Sequence, residues 1–254
     1  MPGYDYYYLG DNARAPYGPR SFDVVYEYTR QAVRHLFDRG CRLVILGCNT
    51  ASAKALRTIQ QHDLIRWGYG GDGPESRRVL GVIRPTTEVI GTITRSRHVG
   101  LLATEGTIRS HSYELEIRKL HPDIILTGQA CPLWAAIVEA GEADSPGADY
   151  FVGKRIGQLF GADPLIDTVI LGCTHYPLLM DSIRRHVPPS VTVVSQGSYV
   201  ATALDDYLRR HPALESSLSR GASTSYFTTE NAATFDAHAA LFLSGDISST
   251  TVSL

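Results

Sequence analysis

No stretch of the 254 residues approaches the roughly 18 consecutive apolar side chains of a membrane-spanning helix. The tyrosine-rich start, Tyr4-Asp5-Tyr6-Tyr7-Tyr8-Leu9, is not the charged-then-apolar pattern of a secretory leader. A cytoplasmic protein without membrane contact is expected. Basic charge is not in excess either: 24 Lys and Arg stand against 26 Asp and Glu, for a net charge of −2 and a pI near 6.5. That balance excludes a nucleic-acid binder built on phosphate contacts, which would carry a basic patch. Lysine is scarce, at Lys54, Lys119 and Lys154 only, and none sits at a strand edge beside a glycine-rich phosphate loop. A pyridoxal-phosphate Schiff base is therefore disfavoured. The four cysteines, Cys41, Cys48, Cys131 and Cys173, include no CxxC pair, which argues against a zinc ribbon or a disulfide framework. They read as free thiols of a reducing compartment. The run from Trp67 to Pro74 is rich in glycine but lacks GxGxxG or P-loop spacing, and reads as a surface insertion.

What the chain does have is one phrase written twice. Val44-Ile45-Leu46-Gly47-Cys48 recurs as Val169-Ile170-Leu171-Gly172-Cys173. A β-branched run closing on glycine reads as a buried parallel strand reaching the C-terminal edge of its sheet. A helical pattern follows each copy: Ala51, Ala53, Ala55, Leu56 and Ile59 after the first, and Leu178, Leu179, Ile183 and Val187 after the second, with Pro177 in its first turn. Each thiol is thus placed at a strand-to-helix turn, where open α/β sheets bind ligands and where a helix N-terminus lowers a thiol pKa. A single such cysteine would read as a core residue. Two copies suggest two halves facing each other across a cleft, with one thiol on each side. That geometry suits removal of a proton from one face of a carbon and its return to the other, without cofactor or metal. His175, two residues from Cys173, is placed to tune or relay the proton. Asn49, Thr50 and Thr174 offer side-chain donors and backbone N–H groups to a carboxylate and an amine.

Around these phrases, strands and helices alternate with few hairpin signals, which means α/β with parallel sheets. Strands are expected over residues 4–9, 42–47, 79–83, 99–103, 124–126, 167–172, 191–194 and 225–229. Ser21 can cap a helix whose apolar face runs Phe22, Val25, Thr29, Ala32, Leu36 and which stops at Gly40. Further helices are expected over 86–94, 199–209 and 232–243 and around 154–160. The Ser- and Thr-rich last residues should be mobile. The expected architecture is two pseudo-symmetric domains, each a mainly parallel sheet flanked by helices, with the active site in the cleft between them. Residues 1–84 plus 197–254 form the first and carry Cys48; residues 85–196 form the second and carry Cys173. The crossings fall at Arg84-Pro85 and Ser195–Ser198.

Gly47-Cys48-Asn49-Thr50-Ala51 and Gly172-Cys173-Thr174-His175-Tyr176-Pro177-Leu178-Leu179 resemble the two signature motifs of the cofactor-independent glutamate racemases. The resemblance runs from Tyr7 to Gly245. It implies interconversion of L- and D-glutamate, with D-glutamate supplied for peptidoglycan synthesis, and it assigns the D-glutamate proton to Cys48 and the L-glutamate proton to Cys173. It also implies roles for other positions. Pro16, Tyr17 and Gly18 match a turn that offers backbone groups to the substrate, and otherwise read as a plain β-to-α connection. Thr104 and Thr107 match hydroxyls that hold the substrate, and otherwise read as helix caps. Glu139 matches a carboxylate near the pocket, and otherwise reads as a solvated helix face. Homodimers are common in the family. The same superfamily leaves open a racemase of another small amino acid or of hydantoin. A truncated, inactive homologue that only binds a small anion between two lobes is the non-enzymatic alternative.

The chain departs from the family at its start. Glutamate racemases usually begin earlier, with a strand and an Asp-Ser-Gly turn whose aspartate assists the first cysteine and whose serine helps bind substrate. Asp11 matches a different family aspartate. The expectation is an incomplete or mis-started sequence, with sheet edge and apolar helix surface exposed.

Overall fold

A computed structural model describes residues 1–71, 75–243, 245 and 247–254. The chain divides into two compact units, residues 1–46, 55–80 and 201–254 in one, and 47–54 and 81–200 in the other. The fold is mixed α/β with parallel sheets and flanking helices, as the alternation of patterns predicts. The boundaries differ from those expected: residues 47–54, carrying Cys48, and residues 81–84 and 197–200 group with the unit that carries Cys173. Arg84 and Pro85 are not a crossing but lie in the first turn of a helix, Ile83–Ile93, where proline's missing N–H costs nothing.

The unit with both cysteines is built on four parallel strands in the order β5-β4-β6-β7: β4 His98–Ala103, β5 Ile125–Ala130, β6 Thr168–Gly172 and β7 Thr192–Val194. Every residue of β6 is buried, as expected for a central strand covered on both faces. On one face, Trp134, Val152, Ile156, Leu159, Tyr176 and Ile183 close over Val169 and Leu171. On the other, Ile90, Tyr113 and Ile117 close over Leu101 and Ile170. Chain order runs outward from β4 to β5 on one side and from β6 to β7 on the other. The order switches between β4 and β6, and the C-terminal ends of the strands at such a switch are where sheets of this kind hold ligands.

In the other unit, β1 (Tyr6–Gly10), β8 (Thr224–Thr228) and β9 (Ser249–Thr251) form a parallel sheet, and β2 (Leu43–Leu46) pairs with β3 (Arg78–Gly81). Ser21 caps the helix Phe22–Asp38 as expected, its Oγ accepting the Val24 N–H at 3.4 Å. The buried stripe is Val25, Thr29, Val33 and Phe37, so the apolar face is rotated from the expected one and Phe22 lies outside. Phe37 takes Trp67 and Tyr69 edge-on, with centroids 6.3 and 5.5 Å away. The first part of the glycine-rich run is thereby anchored to the core; Asp72, Gly73 and Pro74 fall outside the described residues. The mobile C-terminus expected from its composition is corrected at Ser249–Thr251. These residues pair with Tyr226–Thr228, and the Asp236 carboxylate accepts the Ser249 N–H at 3.0 Å. Among the described residues, no helix is long and apolar enough to cross a membrane.

Candidate active site

Each strand of the four-stranded sheet delivers a polar or sulfur-bearing residue just past its C-terminal end. Thr104 follows β4, Cys131 follows β5, Cys173 follows β6, and Gln196 lies two residues beyond β7. The segment 47–54 packs over this edge. Its short helix, Asn49–Lys54, ends at Ala55 and continues through a helical turn to a π-type stretch, Ile59–Asp63, rather than as the single helix expected. Past Cys173 the chain forms a 3-10 turn, Tyr176–Leu179, before the helix Met180–His186. The two copies of the phrase therefore share their strand and thiol but not their following turn.

They also differ at the glycine. A Cβ on Gly172 would lie 2.8 Å from Leu101 Cδ1, 3.0 Å from Ala103 Cβ and 3.3 Å from the Leu102 carbonyl oxygen, whereas one on Gly47 would meet nothing within 4 Å. Gly172 lets β6 approach β4 closely. Gly172→Ala should cost about 1–3 kcal/mol by overpacking, while Gly47→Ala should change stability by less than about 0.5 kcal/mol. Urea unfolding of the two variants checks this, and equal midpoints would contradict the packing argument.

Around Cys48, the Ala51 N–H donates to Sγ at 3.5 Å. This is the helix-N-terminus contact expected to lower the thiol pKa, but burial outweighs it and pushes the thiol above its ordinary value, and the charge of Cys173 adds to the rise. Loss of hydration penalises a thiolate more than one long N–H contact favours it. Cys48 and Cys173 belong to the same compact unit.

Asn49 and Thr50 are both buried. Thr50 Oγ1 lies 2.9 Å from Thr104 Oγ1 and 3.4 Å from Thr107 Oγ1, and the Thr104 hydroxyl donates to Thr107 Oγ1 at 3.0 Å. Thr104 is also a helix cap, accepting the Thr107 N–H at 3.2 Å. The capping and site readings of these threonines are thus compatible: three hydroxyls from two distant segments meet at one point. Asn49 Nδ2 donates to Gln196 Oε1 at 2.6 Å, and its Oδ1 accepts from the Tyr113 hydroxyl at 2.7 Å.

At the second thiol, His175 Nδ1 lies 3.7 Å from Cys173 Sγ, and its Nε2 lies 2.5 Å from Glu139 Oε1. The Cys173 sulfur and the Glu139 carboxylate, one on each ring nitrogen, raise the pKa of the imidazole to about 10 despite partial burial. Glu139 ends the helix Trp134–Glu139 and is engaged by His175 rather than merely solvated. Thr174 is exposed beside Cys173. A third thiol, Cys131, is buried against the same core and pushed well up by loss of hydration; its carbonyl accepts the Tyr176 hydroxyl at 3.0 Å.

Pro16, Tyr17 and Gly18 belong to the other unit. There the Tyr17 hydroxyl donates to the Asp11 carboxylate, and the Tyr17 ring lies 6.0 Å from that of Tyr28. Among the described residues, no group of three His, Cys, Asp or Glu side chains is placed to hold a metal ion. Sequence reading missed Gln196 and Tyr113 as parts of the site. Their only local signals are a polar amide beside a glycine and a tyrosine in a helix, and neither points to a partner more than sixty residues away.

Past the C-terminal ends of parallel strands, one unit thus gathers thiols, hydroxyls and a histidine–carboxylate pair, side chains able to give and take protons. The chain belongs to the Asp/Glu/hydantoin racemase family, whose pattern it matches over residues 31–204. A glutamate racemase of Ruegeria sp. is 38% identical over 258 residues, covering 97% of this chain and 90% of the relative. One from Roseobacter denitrificans is 39% identical over 240 residues, covering 90% and 83%. Among solved structures, a glutamate racemase isoform from Bacillus anthracis superposes with a TM-score of 0.88 at 31% identity, over all of this chain and 90% of the other. The glutamate racemase of Francisella tularensis in complex with D-glutamate superposes with a TM-score of 0.85 at 26% identity, over 100% and 89%.

Proposed function

We propose that this chain is a glutamate racemase, an isomerase that interconverts L- and D-glutamate by proton transfer between Cys48 and Cys173, and that it supplies D-glutamate for peptidoglycan synthesis in the cytoplasm. The observation that supports the reading is that Cys48 and Cys173 belong to one compact unit, together with the hydroxyl cluster of Thr50, Thr104 and Thr107. An α-carbon between the two thiols would present opposite faces to two groups of the same type. In the L-to-D direction, Cys173 Sγ takes the α-proton and the neutral Cys48 S–H gives one to the opposite face. The reverse direction exchanges the roles. Burial keeps Cys48 protonated in the resting site, so the acid for L-to-D turnover is in place before substrate arrives.

The carbanionic character that builds on the α-carbon is spread into the α-carboxylate, so donors aimed at that carboxylate stabilise the transition state more than the ground state. Asn49, the hydroxyl cluster of Thr50, Thr104 and Thr107, and Thr174 are the donors this reading assigns. His175 and Glu139 carry the proton balance at Cys173. The part assigned to Pro16, Tyr17 and Gly18 rests on the family resemblance, as does the pairing of each cysteine with one enantiomer.

The deciding experiment incubates the purified chain with L-glutamate in D2O without added cofactor, following optical rotation and the α-proton signal, with L-aspartate in parallel. Loss of rotation with deuterium uptake from glutamate alone is the expected result. Turnover of aspartate but not glutamate would move the substrate within the family, and no exchange with either would overturn the reading.

A further inference from the structure

Gln196 sits 6% exposed in a knot of side chains that are more deeply buried still: Tyr113 at 1%, Asn49 at 2% and Thr86 at 0%. Its Nε2 lies 3.0 Å from the Val82 carbonyl oxygen, 3.0 Å from Thr86 Oγ1 and 2.7 Å from the Tyr113 hydroxyl, and its Oε1 accepts from Asn49. An amide side chain can in principle be turned either way round. Here one contact removes the choice. A backbone carbonyl only accepts, so the atom facing Val82 is the nitrogen. Oε1 then faces Asn49, and Asn49 can answer only with Nδ2. Its Oδ1 is left for the Tyr113 hydroxyl, which donates to it while accepting from Gln196. The donor order of the whole knot runs from a single peptide carbonyl.

We propose that Gln196, through Tyr113 and Asn49, is a positioning residue for racemisation: it locks the Asn49 amide so that Asn49 meets the substrate as an N–H donor, and therefore at a carboxylate oxygen rather than at the ammonium group. The inference rests on the racemase reading for its substrate, but the locked order itself does not. The oxygen of Asn49 is committed to Tyr113. One Nδ2 hydrogen is committed to Gln196, and the second is the hydrogen that serves the ligand. The residue next in sequence to Cys48 is thus tied to the ends of β7 and of the Val82–Thr86 segment by side-chain bonds spanning 147, 114 and 110 positions. Burial keeps the Tyr113 phenol protonated well beyond its ordinary range, so the order does not change with pH in the working range. Ser52 reinforces the same seam, its Oγ accepting the Val82 N–H at 3.3 Å. Both amides of the knot are engaged at oxygen and at nitrogen, with the two Gln196 Nε2 hydrogens shared among three acceptors, so the knot specifies one amide order.

The test is a double-mutant cycle with two readouts. Gln196→Leu should raise KM for both enantiomers about tenfold, with kcat falling less. In an Asn49→Ala background the same change should move KM by less than about twofold, because Gln196 acts only through Asn49. Equal effects in the two backgrounds would overturn the proposal. Tyr113→Phe keeps the ring in the core and removes the one donor to Asn49 Oδ1. It should shift KM in the same direction, and it serves if Gln196→Leu does not fold. The second readout needs no substrate: in the wild-type chain the side-chain amide protons of Asn49 and Gln196 should exchange with D2O at least a hundredfold more slowly than those of the exposed Gln61, and Tyr113→Phe should abolish most of that protection. Unprotected amides would refute the locked order whether or not the chain racemises glutamate. Protected amides in a chain without glutamate turnover would leave the lock standing and reject the substrate.

Discussion

Serine in place of either Cys48 or Cys173 should lower kcat for glutamate racemisation about 10²–10⁴-fold, the range spanned by a positioned acid or base. The hydroxyl keeps the size and hydrogen-bonding of the thiol but is far harder to ionise, so the loss falls on proton transfer. The two variants should not fail alike. With Cys48→Ser, Cys173 still faces L-glutamate and can exchange its α-proton with solvent, returning the deuteron to the face it came from. Deuterium should enter L-glutamate without change of configuration, while D-glutamate stays inert. Cys173→Ser should give the mirror pattern. Chiral chromatography with mass detection after incubation in D2O reads both. Exchange of both enantiomers by each single variant would mean that one thiol reaches both faces, and the two-sided mechanism would fall. The raised pKa of Cys48 adds a further expectation: its alkylation by iodoacetamide should be slow at neutral pH, because the reactive species is the thiolate.

Much of this site was legible because its chemistry is announced by local pattern. A strand of Val, Ile and Leu that ends in Gly-Cys declares both its burial and the place where it stops, and doing so twice declares a pair. His175 could be read from its two-residue spacing, since a turn brings residues so close in sequence back to the same edge. What escaped has a common physical cause. The Thr50–Thr104 contact spans 54 positions and the Asn49–Gln196 contact 147, and no periodicity in either segment encodes its partner. The sign of the Cys48 shift was misread for a related reason. The helix N-terminus beside it is a local feature, but the burial that outweighs it comes from the whole unit. The same holds for the boundary of that unit, where the bonds of Asn49, Thr50 and Ser52 draw residues 47–54 away from the strand that precedes them. Ser249–Thr251 shows the converse: a composition that reads as mobile is held by a neighbouring strand with free backbone groups to pair.

Glu139→Gln should shift the alkaline limb of the pH–activity profile to lower pH, so that activity at pH 8 falls by about twofold at most and the loss grows above it. The Cys173 sulfur at 3.7 Å and the Glu139 carboxylate at 2.5 Å flank the His175 ring, and together they raise its pKa to about 10. Glutamine keeps the shape and an acceptor oxygen but removes the charge. A charge-assisted hydrogen bond contributes about 1.5–3 kcal/mol, and about 1.4 kcal/mol corresponds to one unit of pKa, so the imidazolium should lose its proton one to two units earlier. Part of that is screened, because both side chains are partly exposed, and the shift should therefore be larger in low salt than in high. The stability consequence has a definite sign. A histidine whose folded pKa lies above its unfolded value of 6.5 stabilises the fold fully below that pH, and the contribution is lost as pH rises through about 10. Wild-type stability should decline across this window for that reason, and Glu139→Gln should end the decline earlier, flattening it from its upper, alkaline end. Urea melts at pH 6, 8 and 10 on both proteins separate this from a loss of packing, which would lower all three by the same amount. A variant with unchanged alkaline limb and parallel melts would show that Glu139 leaves His175 untouched, and would return this carboxylate to the solvated helix face from which it was first distinguished.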